Sequence, residues 1–140
     1  MDPKVKEAIF RAVETETFAQ ALNMELVDLE LGYSAVEMTY DPSAMNNIYN
    51  RAHGGAIFGL IDEAFEAACQ TEGTIAVALN VNVTYVSSPE PGKRLRAEAR
   101  QVSRTKKTAG FEIRVMEKDG RLIATCQALA YHTGKPIPFL

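Results

Sequence analysis

Apolar residues between positions 53 and 70 recur at a helical period and form one broad face. At about 100° per residue, they fill an arc wider than half the helix circumference, and they are Ile57, Phe58, Leu60, Ile61, Ala64, Phe65, Ala67 and Ala68. A helix on a protein surface needs an apolar stripe of only about 100°. The pattern therefore predicts a long helix that other elements surround. Glu63, Glu66 and Gln70 are expected on its narrow solvent-facing side, with Asp62 at the border.

The segments before this helix predict a helical cover and a β-hairpin. Residues 1–20 carry apolar side chains at helical spacing and are expected to pack over the rest of the chain. Residues 24–31 and 34–40 alternate between apolar and polar positions around Gly32, which is typical of a hairpin. Residues 44–52 are expected to form a loop.

Four more strands are expected after the helix. They are residues 74–87, 94–102, 111–116 and 122–132, and polar and apolar side chains alternate at 80–84, 94–102 and 111–116. Asp119-Gly120 is typical of a two-residue hairpin turn, and residues 134–140 are expected to form a tail without regular structure. Because an apolar helix that precedes an antiparallel sheet must be buried by it, the order predicts an α+β domain that spans residues 1–140.

Composition narrows the class of protein. A chain of 140 residues has the length of one domain, and its net charge of −3 argues against a general nucleic-acid binder. The two cysteines, Cys69 and Cys126, lie in apolar settings and are expected to be buried thiols. No segment resembles a signal peptide or a membrane span, so a cytoplasmic location without membrane contact is expected.

Candidate chemistry lies at the start of the long helix. The first turn of a helix offers unpaired N–H groups and the positive end of the helix dipole. Gly54 and Gly55 have no Cβ, so a ligand can approach this backbone closely. Asp62 follows Gly55 by seven residues and shares its face of the helix. One helix thus presents amide donors and, two turns later, a carboxylate.

These residues carry a family resemblance. His53-Gly54-Gly55, a hydrophobic turn and then Leu-Ile-Asp-Glu-Ala, with Asn47 six residues before the histidine, resemble the hotdog-fold acyl-CoA thioesterases, in particular the PaaI-like branch of the phenylacetate pathway. The similarity stays in register through Gly73, residues 89–92 and residues 106–108. It implies a curved sheet wrapped around one central helix, and an acyl-CoA substrate with no metal or redox cofactor. It also implies a homodimer or homotetramer with active sites between subunits.

The resemblance assigns roles to five residues. Asp62 is expected to act as base or as nucleophile, and Gly55, assisted by Gly54, to donate hydrogen bonds to the developing oxyanion. Asn47 is expected either to contact substrate or water, or only to hydrogen-bond its own loop. His53 is expected to orient the loop or touch the substrate rather than act as the base.

Further polar residues are candidates around this centre. Glu66, one turn after Asp62, is expected to be a second acid near the substrate or simply solvated. Ala78 stands where the family often has a serine or threonine that helps to hold water. Asn80 is the first candidate to replace that contact, with Asn82 and Thr84 as alternatives.

A basic region is a candidate for binding the phosphates of coenzyme A. Seven of the fifteen basic residues fall between positions 93 and 107. The arginines of the predicted strand 94–102 alternate with apolar residues and are expected to form a solvent-facing surface. Arg104, Lys106 and Lys107 lie in the predicted connection 103–110 and are expected to contact the substrate.

Two other functions compete with an aryl- or medium-chain acyl-CoA thioesterase. A hotdog hydratase or dehydratase is one, although Gly54-Gly55 differs from the residues that follow the histidine in those enzymes. A non-catalytic module that binds acyl-CoA is the other. No phosphate-loop, dinucleotide or metal-ligand motif is present.

Overall fold

The computed structural model covers residues 1–140 and has the predicted order of a hairpin, a long helix and four strands. The helices are α1 (Pro3–Thr15), α2 (Thr17–Ala21), α3 (Pro42–Met45) and α4 (Gly54–Cys69). The strands are β1 (Glu25–Glu30), β2 (Tyr33–Thr39), β3 (Thr74–Tyr85), β4 (Arg94–Arg104), β5 (Thr108–Glu117) and β6 (Leu122–Pro136). None of the helices combines the length and apolar character needed to cross a membrane.

One antiparallel sheet of six strands, in the order β1-β2-β4-β5-β6-β3, wraps around α4. The inward side chains of the sheet and the apolar face of α4 form the core, since Leu60, Ile61 and Ala64 are fully buried. The Phe65 ring of α4 meets the Phe111 ring of β5 edge to face at 5.3 Å between centroids. Such pairs contribute roughly 0.5–1.5 kcal/mol beyond the area that they bury.

The N-terminal residues form a covering layer of two helices that break at Glu16, in which α1 packs on β1 and α2 contacts α4. A Cβ on Gly59 of α4 would lie 2.9 Å from the Phe18 ring of α2, so glycine permits this close approach. Because this layer covers part of α4, the predicted solvent-facing side of the helix is partly wrong. Glu63 is only 2% exposed and Gln70 only 9%, whereas Glu66 is exposed.

The ends of the strands differ from the sequence prediction in two places. Strands β4 and β5 extend farther than predicted, which shortens the connection between them to Thr105–Lys107. Strand β6 continues to Pro136 through pairing with the start of β3, and buried Ile137 donates its N–H to Gly73 O. Residues 134–137 are therefore part of the packed structure and not a free tail.

The two edges of the sheet are unlike each other. Strand β1 has six residues and carries the acidic side chains Glu25, Asp28 and Glu30. Strand β3 has twelve residues, and its side chains Val77 and Leu79 are 48% and 57% exposed. Long apolar edges are templates for pairing with another chain, whereas short charged edges resist it.

Candidate active site

The start of α4 is capped by a histidine side chain. His53 is the N-cap residue, and its Nδ1 accepts the Gly55 N–H at 2.9 Å. The next two amides donate to His53 O, but Gly54 N–H has no acceptor within the chain. The structure thus leaves Gly54 N–H free, whereas the predicted principal donor, Gly55 N–H, is directed at the His53 ring.

Tyr85, the last residue of β3, contacts the same turn. Its hydroxyl donates to Gly54 O at 3.0 Å, and a Cβ on Gly54 would lie 3.1 Å from the ring. A cavity of about 370 Å³ opens beside this contact, between the helix start and the end of β3. The sequence reasoning missed Tyr85, because its contact with Gly54, 31 positions earlier, comes from the packing of β3 against α4.

The loop before α4 is organised by Asn47. Its Oδ1 accepts the backbone N–H groups of Tyr49 and Arg51 at 2.9 and 3.1 Å. Its own N–H donates to Arg51 O at 2.8 Å. The expected loop-stabilising role is therefore present, and the side-chain NH₂ group of Asn47 is left for a second partner.

Asp62 is half-buried in a pocket of about 230 Å³ between α4 and the edge strand β3. Phe65, Glu66, Cys69 and residues 76–78 line the rest of this pocket. The Asp62 carboxylate has no hydrogen-bond or ion-pair partner in the chain, and its burial raises its pKa. A carboxylate that is withdrawn from water without a partner is unusual unless it has a function.

An acidic cluster lies along α4 next to this pocket. Carboxylate oxygens of Glu16, Glu63 and Glu66 lie within 4.8 Å of one another, near enough to offer a metal ion three ligands. Burial, together with the neighbouring carboxylates, raises the pKa of Glu63 to about 8, and the pKa values of Glu16 and Glu66 are also raised. A proton on Glu63 therefore relieves the repulsion at neutral pH.

Comparison with known proteins places this chain in a family. The model of the thioesterase superfamily matches residues 49–124. The chain belongs to the thioesterase superfamily. It is 30% identical to a predicted esterase of Archaeoglobus fulgidus over 99% of this chain and 87% of that one. It is 27% identical to the acyl-coenzyme A thioesterase PaaI of Escherichia coli over 89% of this chain and 88% of that one.

Solved thioesterase structures share the architecture. The PaaI protein from the phenylacetic acid degradation operon of E. coli matches with a TM-score of 0.90 and 26% identity over 96% of both chains. A Streptococcus mutans protein bound to acetyl CoA matches with a TM-score of 0.77 and 27% identity, over 82% of this chain and 92% of that one. The predicted hotdog fold and the PaaI-like resemblance are confirmed, and the protein is a thioester hydrolase.

Asn80 does not reach the Asp62 pocket of this thioesterase. Val81 and Val83 pack toward the core, so Asn80 shares the opposite face of β3 with Asn82 and Thr84. These last two line a polar depression of about 330 Å³ on the outer face of the sheet. Within one chain, none of the three polar residues replaces the hydroxyl group that Ala78 lacks.

The basic residues of the thioesterase divide into paired and unpaired groups. Arg104, which the sequence predicts to contact the substrate, forms a two-point salt bridge with Glu72 at 2.9 and 2.7 Å. Lys106 and Lys107 form no salt bridge, and Lys107 Nζ lies 5.9 Å from the centroid of the Tyr131 ring. Of the three basic residues predicted to contact the substrate, Lys106 and Lys107 at the tip of the β4–β5 hairpin are the two without an ion pair.

The arginines of β4 form the solvent-facing surface that the sequence predicts. Arg94 and Arg96 both pair with Glu37 of β2, at 3.0 and 3.2 Å. Arg96 and Arg100 also pair with Glu98 of their own strand, at 2.9 and 3.2 Å. Such half-exposed pairs each contribute roughly 0–1 kcal/mol to stability and need no ligand to explain them.

The cysteines and the remaining histidine are buried. Cys69 and Cys126 are free thiols, each 4% exposed, whose burial raises their pKa values. His132 packs with its Nδ1 at 3.4 Å from Thr74 Oγ1, and burial lowers its pKa. None of them has the environment of a nucleophile or a base.

Proposed function

We propose that the protein hydrolyses the thioester of an aryl- or medium-chain acyl-CoA to the free acid and CoA. The observation that carries this proposal is the unpartnered Asp62 carboxylate, which lies in an apolar pocket on the same helix that presents amide donors at its start. The names of the relatives support the class of substrate, since PaaI of E. coli is an acyl-coenzyme A thioesterase and the S. mutans protein binds acetyl CoA.

The helix start stabilises the thioester oxygen as negative charge develops on it. Gly54 N–H is free for this oxygen, and Gly55 N–H joins it when the His53 ring turns aside. The loss of one such donor typically raises the barrier by about 3 kcal/mol. The unused NH₂ group of Asn47 is available to hold the substrate or the attacking water.

Asp62 starts the reaction in this proposal, either as a general base or as a nucleophile. As a base, it takes a proton from water, and the resulting hydroxide adds to the carbonyl carbon. Collapse of this adduct expels the CoA thiolate, which then takes a proton. As a nucleophile, Asp62 attacks the carbonyl directly and expels the thiolate, and water then hydrolyses the mixed anhydride. The raised pKa of Asp62 strengthens it as a base.

The site is shared between two subunits in this proposal. Residues 76–78 line the Asp62 pocket and also belong to β3, whose edge is long, apolar and unpaired within the chain. Pairing of this edge with its counterpart in a second copy would close the pocket. The helix start of the partner would then face Asp62 in a homodimer, or in a homotetramer built from two such dimers.

The pocket supports an aryl or medium-length acyl group. Phe65, Cys69 and the alanines at positions 76 and 78 give it apolar walls, and Glu66 lies at its exposed side. Because an apolar cavity of roughly 150 Å³ accepts a benzene ring, a pocket of about 230 Å³ has room for an aryl group or a medium-length chain.

A panel of acyl-CoA thioesters tests the proposal by release of free thiol. We expect turnover of phenylacetyl-CoA and medium-chain esters, and no hydration of enoyl-CoA. Equilibrium binding of a non-hydrolysable CoA thioether should be measured on the same sample. Binding of the thioether without hydrolysis of any ester would favour a binding module, and hydration of enoyl-CoA would favour a hydratase.

A further inference from the structure

The peptide unit between Gly54 and Gly55 is held at both ends by side chains. Tyr85 Oη donates to its carbonyl oxygen at 3.0 Å, and His53 Nδ1 accepts its N–H at 2.9 Å. The carbonyl and the N–H belong to one rigid plane, so a bond to either atom fixes the direction of the other. Together with the helical backbone of α4, the Tyr85 hydroxyl therefore constrains where Gly55 N–H points.

The backbone of Tyr85 is fixed by the sheet. It pairs with Ala124 in the β3–β6 ladder, and the next residue, Val86, donates its N–H to Ile123 O at 2.8 Å. Its ring rests on Gly54, where a Cβ would come within 3.1 Å of the ring carbons. The Tyr85 side chain thus connects the sheet to the first turn of α4.

We propose that Tyr85 is a positioning residue for the oxyanion donor. The inference rests on the proposed function, in which the His53 ring turns away from Gly55 N–H and the thioester oxygen takes its place. At that moment the Tyr85 hydroxyl still holds the carbonyl end of the peptide plane, so Gly55 N–H keeps its direction toward the thioester oxygen. A hydrogen bond to an amide carbonyl also polarises its N–H and makes it a better donor.

The predicted kinetic signature is a fall in kcat with little change in KM. The thioester oxygen carries most of its negative charge in the transition state, so a weaker donor raises mainly the free energy of the transition state and not that of the bound substrate. Tyr85→Phe removes the hydroxyl and keeps the ring. We expect kcat to fall roughly tenfold, the scale of one neutral hydrogen bond, while KM and thioether binding stay within about twofold.

Tyr33→Phe is the matched control. Tyr33 lies on β2, away from the α4 N-terminus, and its hydroxyl is 3.5 Å from an Arg96 nitrogen on β4, so its loss should leave kcat unchanged. Tyr85→Leu removes the ring as well and should reduce kcat more than Tyr85→Phe does. Thermal melting of all three variants verifies that they remain folded.

The NMR chemical shift of the Gly55 amide proton gives a readout that needs no substrate. We expect it to move upfield in Tyr85→Phe and to stay in place in Tyr33→Phe. A folded Tyr85→Phe protein with wild-type kcat, or with an unmoved Gly55 amide, would overturn the proposal. A wild-type protein that hydrolyses no acyl-CoA would instead overturn the proposed function, and the amide shift would still report whether Tyr85 holds the peptide.

Discussion

Glu63 is a buried carboxyl group without a basic partner. It lies under the N-terminal helices with 2% exposure, and its Oε1 has no hydrogen-bond partner. Its neighbours Glu16 and Glu66 add negative charge to the same place. Because an ionised carboxylate in this setting is costly, protonation of Glu63 stabilises the fold.

This protonation predicts a loss of stability in alkaline solution. The pKa of Glu63 is about 8 in the fold against an ordinary value of 4.5. Its contribution is therefore complete below about pH 4.5 and is lost as the pH rises toward 8. The raised pKa values of Glu16 and Glu66 act in the same direction.

Glu63→Gln should raise the melting temperature at pH 9 and flatten its decline between pH 5 and pH 9. The amide stays neutral at every pH and has nearly the same shape. Glu112→Gln, on the outer face of the sheet, is the control and should leave the slope unchanged. A Glu63→Gln protein that melts earlier than wild type at pH 9 would mean that the ionised carboxylate makes a stabilising contact.

The sequence predicts the burial of a side chain where that burial depends on the geometry of one helix alone. The helical wheel predicts Asp62 at the border of the apolar face, and the residue is half-buried. The same wheel is wrong about Glu63, because burial there comes from Glu16 and Phe18 in the covering layer. Tyr85 is missed for a related reason, since its contact with Gly54 depends on tertiary packing.

The β4–β5 hairpin is the element that would meet the nucleotide end of coenzyme A. Its strands run to Arg104 and start again at Thr108, so the tip is only Thr105–Lys107. Glu72 neutralises Arg104, which leaves Lys106 and Lys107 as free positive charges. Phosphate groups are attracted to such unpaired cations.

Replacing both Lys106 and Lys107 with alanine should raise KM for CoA esters several-fold. Exposed ionic contacts are each worth up to about 1 kcal/mol, and salt screens them. KM for pantetheine thioesters, which lack the nucleotide phosphates, should change little, and the difference should shrink at high salt. Lys4→Ala with Lys118→Ala removes the same charge elsewhere and serves as control. Equal changes in KM for both kinds of ester would place the nucleotide away from this hairpin.

Periodicity predicts the elements of this protein but not all of their ends. The apolar arc of α4 and the alternating strands are sufficient to predict one helix inside a sheet. The end of β6 is missed because Thr133, Gly134 and Lys135 are exposed and do not alternate. Their strand conformation comes from pairing with the start of β3, which is distant in sequence.

At the level of the whole molecule, the proposed active site is shared between two copies that pair through the β3 edge. A lysine on the edge should block its pairing with a second copy. Leu79→Lys should therefore shift sedimentation toward the monomer and reduce activity in parallel. Leu31→Lys, at an exposed position between β1 and β2, should change neither. A monomer with full activity at the same concentration would contradict a shared site.

Single-turnover hydrolysis by Asp62→Asn tests most directly whether Asp62 is the catalytic carboxylate. The amide keeps the shape of the side chain but neither takes a proton from water nor attacks a carbonyl. We expect a rate loss of about 100- to 10,000-fold, with the fold and the binding of a CoA thioether preserved. Glu66→Gln, one turn away in the same pocket, should lose much less. Near-full rate in Asp62→Asn, or a larger loss in Glu66→Gln, would contradict the assignment of Asp62 as the catalytic carboxylate.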